Sequence, residues 1–176
     1  MLENSREFLA RAKDGDSEAF GELYSEVWQE LYRYALFSLQ NKEDAEDAVQ
    51  EAAAEAFRCI KSLCEPEAFR SWIYAILTRC VRRKIKTIIQ QKHTTTFEEL
   101  EKQGVFFETE PAQPDDKIAV WKALSSLKHE ERQVVLLSVV GDYSSIELAS
   151  IMKKPSSTIR SQLHRGLEKL KIILSE

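Results

Sequence analysis

Residues 143–171 read YSSIELASIM, KKP, SSTIRSQLHRGLEKLK, two short helical patterns joined by Lys153, Lys154 and Pro155. In the second pattern Ile159, Leu163, Leu167 and Leu170 recur at helical spacing. Arg160, Ser161, His164 and Arg165 fall on the other side. Two helices linked by a few residues, with a cationic, hydroxyl-rich start to the second, suit a helix-turn-helix. That motif lays its second helix in the major groove of DNA. Pro155 fits the start of a helix, where its missing N–H costs nothing.

Working outward, the 176 residues suit one ordinary domain or two small ones. A hydrophobic content of 43% can build cores, and only five Gly and four Pro interrupt long periodic runs, which predicts an all-α protein. Three cysteines, Cys59, Cys64 and Cys80, form no paired framework, so a reducing compartment and buried structural thiols are expected. The first residues are polar and no apolar run approaches the roughly 20 residues of a membrane span. These features predict a cytoplasmic protein with no membrane insertion.

A net charge of −4 conceals segregation. Between Glu67 and Glu98 there is no carboxylate, while Arg70, Arg79, Arg82, Arg83, Lys84, Lys86 and Lys92 fall there. From Lys153 onward six cations face only Glu168 and Glu176. Acids crowd residues 43–55 and 98–116 instead. A single charge block is most often a solvated face. Alternating blocks point to two nucleic-acid surfaces and a basic protein partner.

Periodicity divides the chain. Helices are expected over 5–13, from a cap at Asp16 or Ser17 through Ala35, from an Asn41 cap to Ile60, and from Phe69 to about Ile89. They make an N-terminal bundle over 1–93. Residues 94–114 carry Thr94-Thr95-Thr96, acids and two prolines, and read as a flexible acidic linker. A second small helical domain covers 115–176, with helices from 115 or 116, from His129 to Val140, and then the two-helix motif.

At this point the chain resembles, over nearly its whole length, the extracytoplasmic-function sigma factors of bacterial RNA polymerase. Two motifs carry the likeness: DAEDAVQE at 44–51, similar to the acidic helix of sigma region 2, and TIRSQLHR at 158–165, similar to the recognition helix of sigma region 4. The resemblance implies that Asp47, Gln50 and Glu51 bind the clamp helices of core RNA polymerase. It implies that Tyr74, Arg79, Arg82, Arg83 and Lys86 handle the −10 element of promoter DNA. It further implies that Lys153, Lys154, Ser157, Thr158, Arg160, Ser161, His164 and Arg165 contact the −35 element. The loop at 61–68 would capture a flipped base, the linker would thread the polymerase channel, and an anti-sigma factor is an expected partner. Many relatives have Asn at Arg79 and a turn Gly at Lys153, where a positive φ would be mildly strained.

The residues support these roles on their own terms. Asp47, Gln50 and Glu51 lie opposite the stripe of Ala45, Ala48, Val49 and Ala52, and an acidic hydrogen-bonding face suits a basic helix. Aromatic residues interleaved with cations on the 69–89 helix suit melted strands, whose bases stack while cations follow phosphates. Trp72 and Ile73 are assigned to the core, and Tyr74 and Arg79 to DNA.

Catalytic chemistry has little support: His93, His129 and His164 are dispersed, and there is no phosphate-cradling glycine loop, nucleophile elbow or metal-spaced cluster. No cofactor or metal is expected, and the chain is not expected to be an enzyme. A classical helix-turn-helix regulator with an N-terminal sensing or dimerisation domain is the alternative, and a nucleic-acid-processing enzyme a distant third.

Overall fold

The computed structural model describes residues 4–92 and 114–175. Among these residues the elements are α1 (Ser5–Lys13), α2 (Ser17–Ser25), α3 (Trp28–Leu39), α4 (Lys42–Cys59), α5 (Phe69–Lys92), α6 (Pro114–Ser125), α7 (His129–Val139), α8 (Ser145–Met152) and α9 (Ser156–Leu174). Single 3-10 turns at Ile60–Ser62 and Pro66–Ala68 join α4 to α5. The described residues contain no strand, in keeping with the expected all-α class. The linker acids, Phe97, Phe106, Phe107 and His93 lie outside the described residues.

Local chemistry explains most helix starts. The Asp16 carboxylate accepts from the amides of Glu18 and Ala19, and the Asn41 side chain accepts from that of Asp44. Each cap satisfies N–H groups that the first helical turn leaves without intrahelical partners. Ser144 and Glu147 form a reciprocal capping box that starts α8. Gly15, at φ 98°, makes the turn between α1 and α2 at no steric cost.

One boundary differs from expectation. The periodic stretch from Phe20 to Ala35 is not one helix but α2 and α3, separated at Glu26 and Val27. No Gly or Pro marks this break. It lets α1 and α2 pair while α3 turns to lie on α4 and α5.

The N-terminal bundle packs α3, α4 and α5 around Leu31, Tyr34, Ala35, Ala45, Ala48, Ala52, Ile73, Leu77 and Val81. The alanines on α4 allow α3 and α5 to approach it closely. The C-terminal unit packs α7, α8 and α9 around Val134, Leu137, Leu148, Met152 and Ile159. Gly166 on α9 is needed there, because a Cβ would meet Val135 Cγ2 at 2.6 Å. Each fully buried large aliphatic side chain contributes about 1.5–3 kcal/mol.

The two units are in contact. α7 lies on α3 and α8 on α5, and one continuous cluster of buried apolar residues spans both. Three arginines stitch the junction by covering carbonyls at helix ends, groups that lack intrahelical donors. Arg70 donates to Gly141 O at 2.8 Å, just beyond α7. Arg82 donates to Met152 O at 3.1 Å, at the end of α8. Arg132 is buried and donates to Leu124 and Ser125 at the end of α6, to Leu127 just beyond it, and to Ser38 on α3. Burial lowers its pKa to about 10, still charged at neutral pH.

Candidate polymerase and nucleic-acid interfaces

On α4 the buried face is Ala45, Ala48, Val49, Ala52 and Ala56, and Asp47, Gln50 and Glu51 are exposed together on the other side. Two of the three are engaged by α5. Lys84 Nζ lies 2.8 Å from Asp47 and 3.3 Å from Asp44, while Arg83 lies 2.9 Å from Glu51. Arg79 lies 2.7 Å from Glu55. The acids raise the pKa of Lys84, first through the Asp47 hydrogen bond, and of Arg83, first through Glu51. Lys84, Asp44 and Glu55 are largely covered, whereas Asp47, Glu51, Arg79 and Arg83 are about half exposed or more, so these outer charges cost little to exchange for a partner's.

The α5 residues expected to hold the −10 element fall into three environments. Lys86 is exposed. Arg79 and Arg83 are exposed but paired with α4 carboxylates, so they present an ion-paired ridge rather than free cations. Tyr74 and Arg82 are covered in this arrangement rather than presented to solvent. Tyr74 is 0% exposed, its ring edge-on to Tyr34 and Tyr143 at 5.8 and 5.3 Å, and cannot stack on a base in this arrangement. Its phenol pKa is raised, chiefly by burial. Arg82 is half-buried beneath α7 and α8, where Nη1 donates to Met152 O and Nε to Gln133 Oε1. Trp72 is half-buried, against Phe69, in keeping with a core assignment.

A cavity of about 400 Å³ opens beside the 61–68 loop, lined by Leu23, Val27, Pro66 and Phe69, with Glu26, Glu30 and Arg70 at its polar side. Apolar walls with a few polar groups at one edge suit a flat, partly polar occupant such as a base. Of the expected loop residues 61–68, the lining includes Pro66 alone.

The helix-turn-helix is formed by α8 and α9. Lys153 adopts the left-handed conformation, φ 51° and ψ 49°, the turn geometry for which a Gly is the easier residue. On α9, Ile159 is fully buried, and Ser157, Thr158, Arg160, Ser161, His164 and Arg165 are exposed. Ser161 Oγ donates back to Ser157 O, which occupies its proton. Lys153 is exposed, whereas Lys154 is half-buried and ion-paired with Glu130. Arg165 reaches back to Glu131 at 3.3 Å, and Lys169 reaches the same carboxylate at 2.8 Å. Arg160 and, at the far end of α9, Lys171 are exposed and have no ion-pair partner among the described residues, so Arg160 is the outward cation in the first turns of the helix.

Glu130 and Glu131 were not singled out by the sequence. Their signal is positional: adjacent acids in the first turn of α7, set opposite Lys154 of the turn and the α9 cations Arg165 and Lys169. Glu130 is held below the usual carboxylate range, chiefly by Lys154, and Glu131 chiefly by Lys169.

Cys80 is buried and burial pushes its thiol up to about 11, an inert form. Cys59 and Cys64 are exposed, which corrects the expectation that all three are structural core residues. They sit on α4's last turn and the following loop, outside the apolar stripe. Among the described residues no cluster of His, Cys, Asp and Glu could hold a metal ion. No helix there is long and apolar enough to cross a membrane.

Comparison with known proteins agrees with this geometry. The model of Sigma-70 region 2 matches residues 19–88, and that of Sigma-70, region 4 matches residues 117–170. The chain is 26% identical to RNA polymerase sigma factor SigV of Bacillus subtilis over 84% of this chain and 86% of that protein. It is 24% identical to the ECF RNA polymerase sigma factor SigW of the same organism, over 93% and 92% of the two chains. With the ECF RNA polymerase sigma-E factor of Escherichia coli the identity is 25%, over 91% and 88%. Among solved structures the fold is similar to CnrH in complex with the cytosolic domain of CnrY, with a TM-score of 0.68, 22% identity and 98% of each chain covered. It is equally similar to the sigma factor RpoE in complex with the anti-sigma factor NepR from Bartonella quintana, with a TM-score of 0.68, 24% identity, and 89% and 96% covered. The two region matches in their order, joined on one helical chain, place this protein in the sigma-70 family, as a member of the extracytoplasmic-function group.

Proposed function

We propose that this alternative sigma factor binds core RNA polymerase through Asp47, Gln50 and Glu51 and directs it to promoters through α5 and α9. The proposed division is region 2 over 1–93, a linker over 94–114 and region 4 over 115–176. Arg160, Ser157, Thr158, Ser161, His164 and Arg165 read or flank the −35 element, and Lys153 and Lys154 attract its phosphates. Arg79, Arg82, Arg83, Lys86 and Tyr74 are assigned to the −10 element, the covered Arg82 and Tyr74 becoming available once the units part. Sigma factors are not enzymes, and this chain is read as non-catalytic and cytoplasmic. An anti-sigma factor is its expected antagonist.

The observation that carries the reading is one chain holding an exposed acidic face on α4 and an exposed Arg160 face on α9. Positions −35 and −10 lie about 25 base pairs apart, about 85 Å at 3.4 Å per base pair. A compact chain of this length is only about 40 Å across. With α8 seated on α5, the two readers cannot occupy both elements at once. Promoter binding therefore requires the units to separate, and the arrangement described here is a closed, resting one.

Run-off transcription with purified core polymerase tests the reading. Promoter-dependent transcripts are expected only when the chain is added. A chain that binds duplex operator DNA but never supports core polymerase would instead be a helix-turn-helix regulator.

A further inference from the structure

A cleft of about 960 Å³ runs along the junction between α5, α7 and α9. Its α5 wall carries Arg82 and Lys86 beside Ile85 and Ile89. Its floor is the first turn of α7, an 11-residue helix whose N-cap, Lys128, supplies no side-chain cap. The amides and dipole at such a helix start favour an anion. Glu130 and Glu131 also line the cleft, but each is already matched: Glu130 by Lys154 and Gln162, Glu131 by Arg165 and Lys169. Lys86 and Lys128 have no ion-pair partner among the described residues.

A second observation is independent of charge. Gln133 is 2% exposed and Gln162 7% exposed, and both line the cleft. Gln133 Nε2, Gln162 Oε1 and Arg82 Nη2 are buried without a hydrogen-bond partner. Native structures seldom leave such groups unsatisfied, and three around one cleft mark a place where a ligand's polar atoms complete the bonding. Two of the three atoms are donors, as an oxyanion requires.

We propose that this cleft is a binding site for a small phosphorylated anion. The phosphate faces Lys128, Arg82 and the start of α7, and Ile85 and Ile89 flank the body of the ligand. The site draws one wall from the N-terminal unit and the rest from the C-terminal unit, so it is whole only when the units are in contact. A ligand that binds only the closed arrangement stabilises it. This regulatory consequence rests on the reading that promoter binding needs the open form, whereas the site itself does not.

Isothermal titration calorimetry of the full chain with pyrophosphate tests the site without polymerase. One saturable site is expected. Lys128→Glu, at an exposed position, and Gln133→Leu, which removes the amide donor, should each weaken it about tenfold or more, the effect of losing a hydrogen bond to a charged group. Absence of saturable binding overturns the proposal, as does unchanged affinity in Lys128→Glu. A competition arm with short duplex DNA separates two sources of phosphate. Retention of pyrophosphate in the presence of the duplex supports a small-molecule site, and its displacement would make the cleft part of the DNA track instead. Failure of run-off transcription together with intact pyrophosphate binding would overturn the sigma reading and leave the site standing.

Discussion

Arg70 and Gly141, 71 residues apart in the chain, are joined by a 2.8 Å hydrogen bond from guanidinium to carbonyl. The same guanidinium is held by Glu30 at 2.7 Å and lies over the rings of Tyr74 and Tyr143, 5.7 and 5.2 Å from their centroids. Gly141 has no room for a Cβ, which would meet Leu137 O and the Tyr143 ring at 2.7 Å. One cation from region 2 thus fastens the segment that leads into the helix-turn-helix.

Arg70→Ala is expected to loosen this closed arrangement. A hydrogen bond to a charged group is worth about 1.5–3 kcal/mol, and the aromatic contacts add to it. Small-angle scattering should show a radius of gyration above the roughly 16 Å of a compact chain this long. An unchanged radius would mean that the apolar contacts of α8 on α5 suffice without the cation.

Tyr74→Phe should act in the opposite direction. The Tyr74 hydroxyl is buried without a partner, which costs about 1–3 kcal/mol in the closed state and little where water can reach it. Removing it favours closure, so the variant should melt higher and give fewer transcripts at equal concentration. If Tyr74 instead touches a base through its hydroxyl, activity falls without any rise in melting temperature.

These contacts show where legibility in the sequence stopped. Caps at Asp16 and Asn41, the left-handed Lys153 and the two-helix motif were readable because each is decided within a few residues. The burial of Tyr74 was not, because α5 is apolar on one side toward Tyr34 and on another toward Tyr143. A basic, aromatic helix looks the same whether its far side meets DNA or a second domain. The pairing of Arg83 with Glu51 and of Arg165 with Glu131 likewise joins residues far apart in sequence. The charge blocks were visible, but not that they partly neutralise one another within the fold.

Acid should loosen α9 from α7 through Glu131. Its carboxyl pKa is lowered, chiefly by Lys169 and then by Arg165, so folding favours the ionised form. The stabilisation is fully present above the ordinary carboxylate pKa and is lost as pH falls through the lower, folded value. Melting temperature should therefore drop as pH is taken below the ordinary carboxylate range, and Glu131→Gln should flatten that limb. An equally steep acid limb in Glu131→Gln would assign the loss to other carboxylates.

Glu51→Lys should weaken core polymerase binding without unfolding the bundle. The position is exposed, and its pair with Arg83 is worth at most about 1 kcal/mol. A pull-down with core enzyme and a circular dichroism spectrum separate the two effects. Full affinity would remove the α4 face from the interface, and lost helicity would show that the ion-paired ridge is structural.

Arg160 and Lys153 should affect promoter recognition in distinguishable ways. Arg160 is exposed on α9 and unpaired among the described residues, and a bidentate Arg–guanine contact is worth about 1–3 kcal/mol of discrimination. Arg160→Ala should relax preference at particular −35 bases. Lys153→Gly removes one phosphate cation and also relieves the left-handed backbone, a gain of about 1 kcal/mol in stability. It should weaken all sequences alike and flatten the salt slope by about one unit. Promoter libraries selected with holoenzyme at two salt concentrations measure both. Unchanged −35 preference in Arg160→Ala would mean that α9 docks in another register, with Arg165 released from Glu131 to do the reading.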